Sequence, residues 1–267
     1  MDRDKQFLKN YTPFFESSDA VLFNGDCLEI INSFPDDSID MIFADPPYML
    51  SNDGLTCQNG KMVNVNKGKW DKSRGFEEDT VFHNEWICAC RRVLKPEGTI
   101  WISGTYHSIY QCGYILQKNY FHILNDIAWF KPNASPNLSC RFFTASHETI
   151  IWARKDKNAQ HTFNYEKMKN GSFPEDKLKK ENTQMRSVWS ITASKTSEKE
   201  YGKHPTQKPL DLLKRIVLAS TKENDIVLDP FCGSGTTGVA CKNIKNRLFI
   251  GIEIDAGFCE LVKKRLS

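Results

Sequence analysis

Asp45-Pro46-Pro47-Tyr48 places a carboxylate, two prolines and an aromatic ring directly after a short apolar run, Ile39 to Ala44, with the composition of a buried strand. Proline cannot donate to a ladder and fixes φ, so the strand must end there. The result is a stiff loop at a strand's C-terminal end, the edge where open α/β sheets bind ligands. An exocyclic amine on a heteroaromatic base is a poor nucleophile because its lone pair is delocalised into the ring. The Asp45 carboxylate and the Pro46 carbonyl, accepting its two N–H groups, would localise that pair as an electrophile arrives, by preorganised electrostatics. Tyr48 is suited to stack on a base that has left its helix. The competing reading is a strand-ending turn, with Asp45 as a cap and Tyr48 packed.

A second cluster lies far along the chain. The apolar run 225–228 ends in Asp229-Pro230-Phe231 and is followed at once by Cys232-Gly233-Ser234-Gly235-Thr236-Thr237-Gly238. Glycines there permit a tight turn and close approach of backbone to a ligand. A helix from Val239 to about Lys245 and a strand over 248–253 complete a nucleotide-type βαβ unit, with Glu253 placed to bond ribose hydroxyls. The spacing of Gly233, Gly235 and Gly238 also satisfies the dinucleotide fingerprint, so a nicotinamide-dependent oxidoreductase must be weighed. Two features oppose it. Asp229 puts a carboxylate where a pyrophosphate would sit, and a cationic ligand head suits that site better. Fourteen residues follow Glu253, too few for the remaining strands, so the sheet must be completed by segments earlier in the chain.

Those segments are legible. Alternating patterns give strands near 20–24 and 39–44, a helix near 80–94 and a strand near 99–103. A helix near 108–118, strands near 123–131 and 148–153, and a helix over 210–219 follow. The succession argues α/β. Residues 1–19 read as a polar lead-in, 20–154 with 202–267 as the catalytic domain, and 155–201 as a polar insertion. The insertion is the candidate for target recognition, and Asn164, Gln184, Arg186 and Ser190 are types able to read base edges. Its rival reading is a loop with no reading role. The polar segment 51–75 is a candidate lid.

Composition sets bounds on function. A net charge of +3 is only mildly basic, but 155–208 holds 12 Lys/Arg against 7 Asp/Glu, an excess suited to phosphate contacts or simply to a solvated surface. Nine cysteines with no CxxC spacing read as free thiols in a reducing cytoplasm, with neither disulfides nor a metal site. The start, Met1 to Lys5, lacks a signal-peptide pattern and no apolar run approaches membrane-spanning length.

Together the two ends resemble the β-group of DNA amino-methyltransferases, in which the catalytic region precedes the cofactor-binding region. The resemblance covers nearly the whole chain, from Phe23-Asn24-Gly25-Asp26 onward. Leu94 to Ile102, Arg141 to Thr144 with His147 and Trp152, and His204-Pro205-Thr206-Gln207-Lys208-Pro209 carry it further. It implies a circularly permuted, Rossmann-like methyltransferase fold, S-adenosyl-L-methionine as cofactor and DNA as partner. Asp45, Pro46 and Tyr48 would act on the base. Asp26, Cys27, Asp45, Asp229, Pro230, Phe231, Gly233, Ser234, Gly235, Thr236 and Glu253 would frame the cofactor. Thr206, Gln207 and Lys208 would reach its methionine carboxylate; a Pro-flanked connector is the rival reading. Asp26 reads equally as a helix N-cap, and core packing competes with a dimer-associated role for His147 and Trp152. Asp45 favours N6 of adenine over N4 of cytosine, the alternative product. A non-catalytic DNA-binding subunit is the remaining alternative and should lack the acidic loop. The narrower likeness is to the second, GATC-methylating enzymes of DpnII-type restriction–modification systems, which implies activity on duplex and single-stranded DNA. A homodimer is a further expectation.

Overall fold

A computed structural model describes Phe7, residues 11–49, the backbone of 55–58 and 61–64, and residues 71–137, 140–169, 173, 180 and 182–267. The elements in chain order are β1 (Phe15–Glu16), β2 (Ala20–Asn24), α1 (Cys27–Asn32), β3 (Ile39–Ala44), β4 (Leu55–Gln58), β5 (Lys61–Asn64), α2 (Phe76–Val93) and β6 (Leu94–Gly104). Then come α3 (Ile109–Lys118), β7 (His122–Phe130), β8 (His147–Arg154), α4 (Tyr165–Lys169), β9 (Val188–Ser190), α5 (Leu210–Ser220), β10 (Ile226–Asp229), α6 (Thr236–Ile244), β11 (Leu248–Glu253) and α7 (Ala256–Leu266).

Nine strands form one sheet in the order β1-β2-β11-β10-β3-β6-β8-β7-β9. The stretch from β2 to β6 is parallel, and β8 runs antiparallel to both β6 and β7. The interior strands read as unbroken apolar runs because both of their faces are covered. Successive residues serve opposite layers. Ile42 and Ala44 of β3 join one cluster with Ile30, Ile31, Trp86, Cys90 and Ile115 of α1 to α3. Met41 and Phe43 join the other, with Leu212, Ile216, Ala240 and Val262 of α5 to α7. This is a three-layer α/β fold, as the alternation of elements implied.

Its chain order is permuted. After β2 the chain leaves two places open, lays down β3, β6, β8 and β7, and returns much later to fill the gap with β10 and β11. The helix after β3 packs on one face and the helix after β10 on the other. A crevice therefore opens where these neighbouring strands end, which is where such sheets bind ligands.

The stretch 155–201 is not a separate appendage. Val188–Ser190 extends the main sheet beside β7, and Trp189 and Met168 are buried in the second cluster. Asn164 donates to the carbonyls of Leu218 and Thr221, both at 2.7 Å, so it braces the end of α5 and is corrected from a base reader to a structural residue. Gln184 and Arg186 are exposed. Within 51–75, β4 and β5 form an antiparallel hairpin; 51–54, 59–60 and 65–70 lie outside the described residues, as do residues 1–6 and 8–10 of the lead-in.

Candidate active site

Asp45 leaves β3 at the floor of the crevice, with its side chain 14% exposed. Its two oxygens have different partners. Oδ2 lies 2.5 Å from Lys208 Nζ, and Oδ1 accepts the Tyr48 hydroxyl at 2.6 Å. The loop is fixed from outside by the buried Asp71, whose Oδ1 accepts the backbone N–H of Tyr48 at 2.9 Å and of Met49 at 3.0 Å. Met49 has φ +57°, so the two prolines lead into a left-handed residue that Asp71 holds in place.

Around Asp45 lies a network that the sequence did not announce. Glu148, near the start of β8, is paired with Lys131 Nζ at 2.9 Å and lies 3.6 Å from Lys208 Nζ. Its Oε2 is 3.1 Å from the Tyr48 hydroxyl. Two carboxylates and two ammonium groups thus share one mostly buried patch. Burial raises Asp45 above the ordinary carboxylate range, against the pull of Lys208. Burial would likewise raise Glu148, but Lys208 and Lys131 overcome it and hold that acid at about 2. Burial would lower Lys208, yet Asp45 and Glu148 keep its ammonium above its usual value. Burial and then Asp45 push Tyr48 well up, so its hydroxyl keeps its proton.

The opposite wall is the glycine turn. Gly233 and Gly235 have φ +53° and +74°, conformations that favour glycine. A Cβ on Gly235 would lie 2.8 Å from Val262, so that position lets α7 close against the turn. Asp229 Oδ2 accepts Thr237 Oγ1 at 2.5 Å and its Oδ1 accepts the Phe231 N–H at 3.1 Å. Glu253 accepts from the N–H groups of Gly233 and Asp255, both at 2.8 Å. Burial lifts both acids to about 7. Phe231 stands edge-on to Trp86, 5.4 Å away.

The crevice gathers all but one of the residues that the sequence assigned to the base and the cofactor. Asp26, Cys27, Asp45, Pro46, Tyr48, Thr206, Gln207, Lys208, Asp229, Pro230, Phe231, Gly233, Ser234, Thr236 and Glu253 all line it. Gly235 instead faces α7. Asp26 is an N-cap, accepting from Leu28 and Glu29 at 2.8 and 3.2 Å, and it also borders the crevice. His204 packs edge-on to Phe258 at 4.3 Å. Trp152 is a core residue, stacked on Trp101 at 4.7 Å, whereas His147 is exposed. Tyr48 is 5% exposed, with its hydroxyl turned to Asp45. Lys208, which the resemblance directs to a methionine carboxylate, rests here on Asp45.

The donor set suits a nucleoside carrying a cationic centre. Glu253 keeps lone pairs beyond its two backbone bonds that a ligand's hydroxyls can meet, Phe231 and Ile254 offer apolar wall, and acids outnumber bases along the crevice. Gln207 Oε1 is buried in this wall with no partner among the described residues, an unmet acceptor of the kind a bound ligand satisfies. Among the described residues, no group of three His, Cys, Asp or Glu could hold a metal.

Comparison with known proteins decides the family. The N6/N4 family described as DNA methylase matches residues 39–264. The chain belongs to this family. It is a DNA methyltransferase, a class that draws its methyl group from S-adenosyl-L-methionine, and DNA is its substrate. It is 51% identical over 256 residues to the type II methyltransferase M2.LlaDCHI of Lactococcus lactis subsp. cremoris, covering 96% of this chain and 92% of that one. It is 49% identical to M2.DpnII of Streptococcus pneumoniae, with the same coverage of 96% and 92%. Among solved structures, the M1.HpyAVI–SAM complex is 31% identical with a TM-score of 0.67, covering 93% of this chain and 99% of that one. The Rossmann-like fold, the enzyme class and the cofactor expected from the sequence therefore stand, and the oxidoreductase and non-catalytic readings fall.

Proposed function

We propose that this enzyme methylates N6 of adenine at a specific DNA site, with Asp45 and the Pro46 carbonyl accepting the two hydrogens of the target amine. The observation that carries the reading is the Asp45 carboxylate, desolvated in the crevice that the glycine turn also lines. S-adenosyl-L-methionine, when bound, supplies an electrophilic methyl group on a sulfonium. Glu253, Asp229, Phe231, Gly233, Ser234 and Thr236 would hold its nucleoside half, with Asp26, Cys27 and Pro230 beside them. Thr206 and Gln207 would hold the amino-acid half, with Lys208, directed there by the resemblance but resting on Asp45, beside them.

The chain's own chemistry is then electrostatic. The target base is flipped from the duplex at a cost of about a few kcal/mol, less from a single strand. Asp45 draws the amine hydrogens, concentrates the lone pair on nitrogen and stabilises the positive charge that grows there. Tyr48 turns its ring to the base. Water is excluded by the crevice walls, and holding the reactants in line supplies much of the acceleration.

We further assign the enzyme to a restriction–modification system, on the strength of its type II relatives, with GATC as its site and single strands as a second substrate following only from the resemblance seen in the sequence. It would act in the cytoplasm as a homodimer; no helix among the described residues is long and apolar enough to cross a membrane. Mixed-sequence DNA incubated with the enzyme and cofactor, then mapped at base resolution, tests the reading. N6-methyladenine in a short motif is expected. Modified cytosine as the only product would overturn the adenine assignment, and methylation confined to duplexes would remove the single-strand claim.

A further inference from the structure

We propose that Glu148 is a positioning residue for methyl transfer: it holds Lys208 and the Tyr48 hydroxyl, the two groups that fix the oxygens of Asp45. The inference rests on the reading of Asp45 as acceptor of the target amine. Glu148 sits on β8, two strands from Asp45 in the sheet order, and none of its own atoms need touch the base.

The geometry has a direct consequence for how the site receives its substrate. Tyr48 has one hydroxyl proton and two carboxylates within reach, Asp45 at 2.6 Å and Glu148 at 3.1 Å. The proton goes to the nearer, so at rest Asp45 Oδ1 already accepts an O–H. An arriving amine N–H takes that place, and the displaced hydroxyl has Glu148 Oε2 beside it to accept its hydrogen bond. Asp45 is therefore never left without a donor, and neither is Tyr48. The exchange conserves hydrogen bonds, which matters because an unsatisfied buried polar group costs about 1–3 kcal/mol.

Lys208 presents the opposite problem. An ammonium 2.5 Å from Asp45 would, if it belonged to Asp45 alone, neutralise the charge the amine needs. Glu148 shares it from 3.6 Å, and Lys131 balances Glu148 from the far side at 2.9 Å. Asp45 is thus oriented by Lys208 while keeping part of its negative charge. The charged and titratable groups facing Asp45 are Lys208 from the segment before α5, Glu148 from β8, Tyr48 from its own loop and Asp229 from the end of β10. Asp71 stands behind Tyr48 on the backbone side.

Two substitutions push this patch in opposite directions. Glu148→Gln keeps the shape and removes a negative neighbour, so the Asp45 titration should move to lower pH. Lys131→Met leaves Glu148 unbalanced, so the Asp45 titration should move to higher pH. Carboxyl carbon NMR on protein labelled at aspartate reads both without substrate, the Asp45 signal being assigned by its loss in Asp45→Asn. In single-turnover methylation, Glu148→Gln should be slower by roughly ten- to a hundredfold, the range typical of groups that orient a ligating or reacting residue. Cofactor affinity should stay within about twofold, which separates positioning from loss of binding. Titrations that do not move, or that move the same way in both variants, overturn the proposal. So does a Glu148→Gln rate within about twofold of wild type. Should Glu148→Gln fail to fold, Lys131→Met must still raise the Asp45 titration, and its absence there is decisive. The titrations are independent of what Asp45 does to the base, so a failed acceptor role, seen as an active Asp45→Ala, is told apart from a failed Glu148 role.

Discussion

Replacing Asp45 by Ala should stop methyl transfer while leaving cofactor binding and the fold nearly intact. The substitution removes the acceptor at Oδ1 and the ion pair at Oδ2. The freed partners are not stranded, because Tyr48 and Lys208 both retain Glu148, at 3.1 and 3.6 Å. The turn that carries Pro46 and Pro47 keeps its anchor as well, since Asp71 still accepts from Tyr48 and Met49. Loss of one preorganised charge-stabilising group in an enzyme site costs about 2.7–4 kcal/mol of transition-state stabilisation. At about 1.4 kcal/mol per factor of ten, the rate should fall by roughly 10²–10³. The residues proposed to hold the nucleoside half of the cofactor lie chiefly in the turn after β10 and at the end of β11, in the same crevice but on other segments, so its affinity should change little. Single-turnover methylation with labelled cofactor gives the rate, and equilibrium titration gives the affinity. An Asp45→Ala enzyme that methylates DNA at near wild-type rate would refute the acceptor role and return Asp45-Pro46-Pro47-Tyr48 to a strand-ending turn.

Three further outcomes are expected. Glu253→Ala should show the converse pattern: losing charged hydrogen bonds worth about 1.5–3 kcal/mol weakens cofactor binding by roughly ten- to a hundredfold, and unchanged affinity in a titration would remove Glu253 from the cofactor site. Stability of the ligand-free protein should fall as pH rises from about 4 to about 7, because Glu253 and Asp229 titrate near 7 when folded against about 4 when unfolded. The native state binds the extra protons in that window, so their contribution is present below the unfolded value and is lost as pH passes the folded one. Glu148, held at about 2, acts oppositely below about pH 4.5, so the three groups together place the maximum in thermal melts at about pH 4, and a peak above pH 8 would contradict the burial of the two acids. Asn164→Ala should lower stability by about 1–3 kcal/mol without altering the methylated sequence, and a changed motif in mapped DNA would restore Asn164 as a base reader.

The elements easiest to see in the sequence were those buried on both faces. β3 and β10 are short apolar runs closed by Asp-Pro and β11 is one ending in an acid, and a run covered by helices on both sides leaves that mark regardless of what lies next to it. Helix ends drifted by a few residues: α2 begins at Phe76, not Thr80, because three acids favourable to a helix N-terminus extend it upstream. What depended on distant partners was not legible. β9 is three residues long and is a strand only because Val188 to Ser190 pair with β7 while Trp189 lies under Trp101 and against Arg215. α1 has only six residues, too few to show a helical period. Glu148 looked like the polar entry to a strand, and nothing in its neighbours marked it. Its role is set by Lys131 and Lys208, 17 and 60 positions away in opposite directions. The same holds for Asn164, whose type suits a base edge and whose partners are carbonyls of α5 and the residue after it.

The two vacant places in the sheet impose an order on assembly. Until β10 and β11 have been made, β2 and β3 each carry an unpaired apolar edge, and they have no register with each other. Such edges are templates for pairing with other chains, and contacts between distant segments form slowly. A nascent chain halted before Ile226 would hold the whole Asp45 loop but lack the glycine turn and Glu253 that line the crevice beside it. The enzyme therefore becomes catalytically whole in a single late event, the insertion of one βαβ unit into a waiting gap. Refolding should show it as a slow phase in which edge protection of β2 and β3, closure of the crevice and activity all appear together.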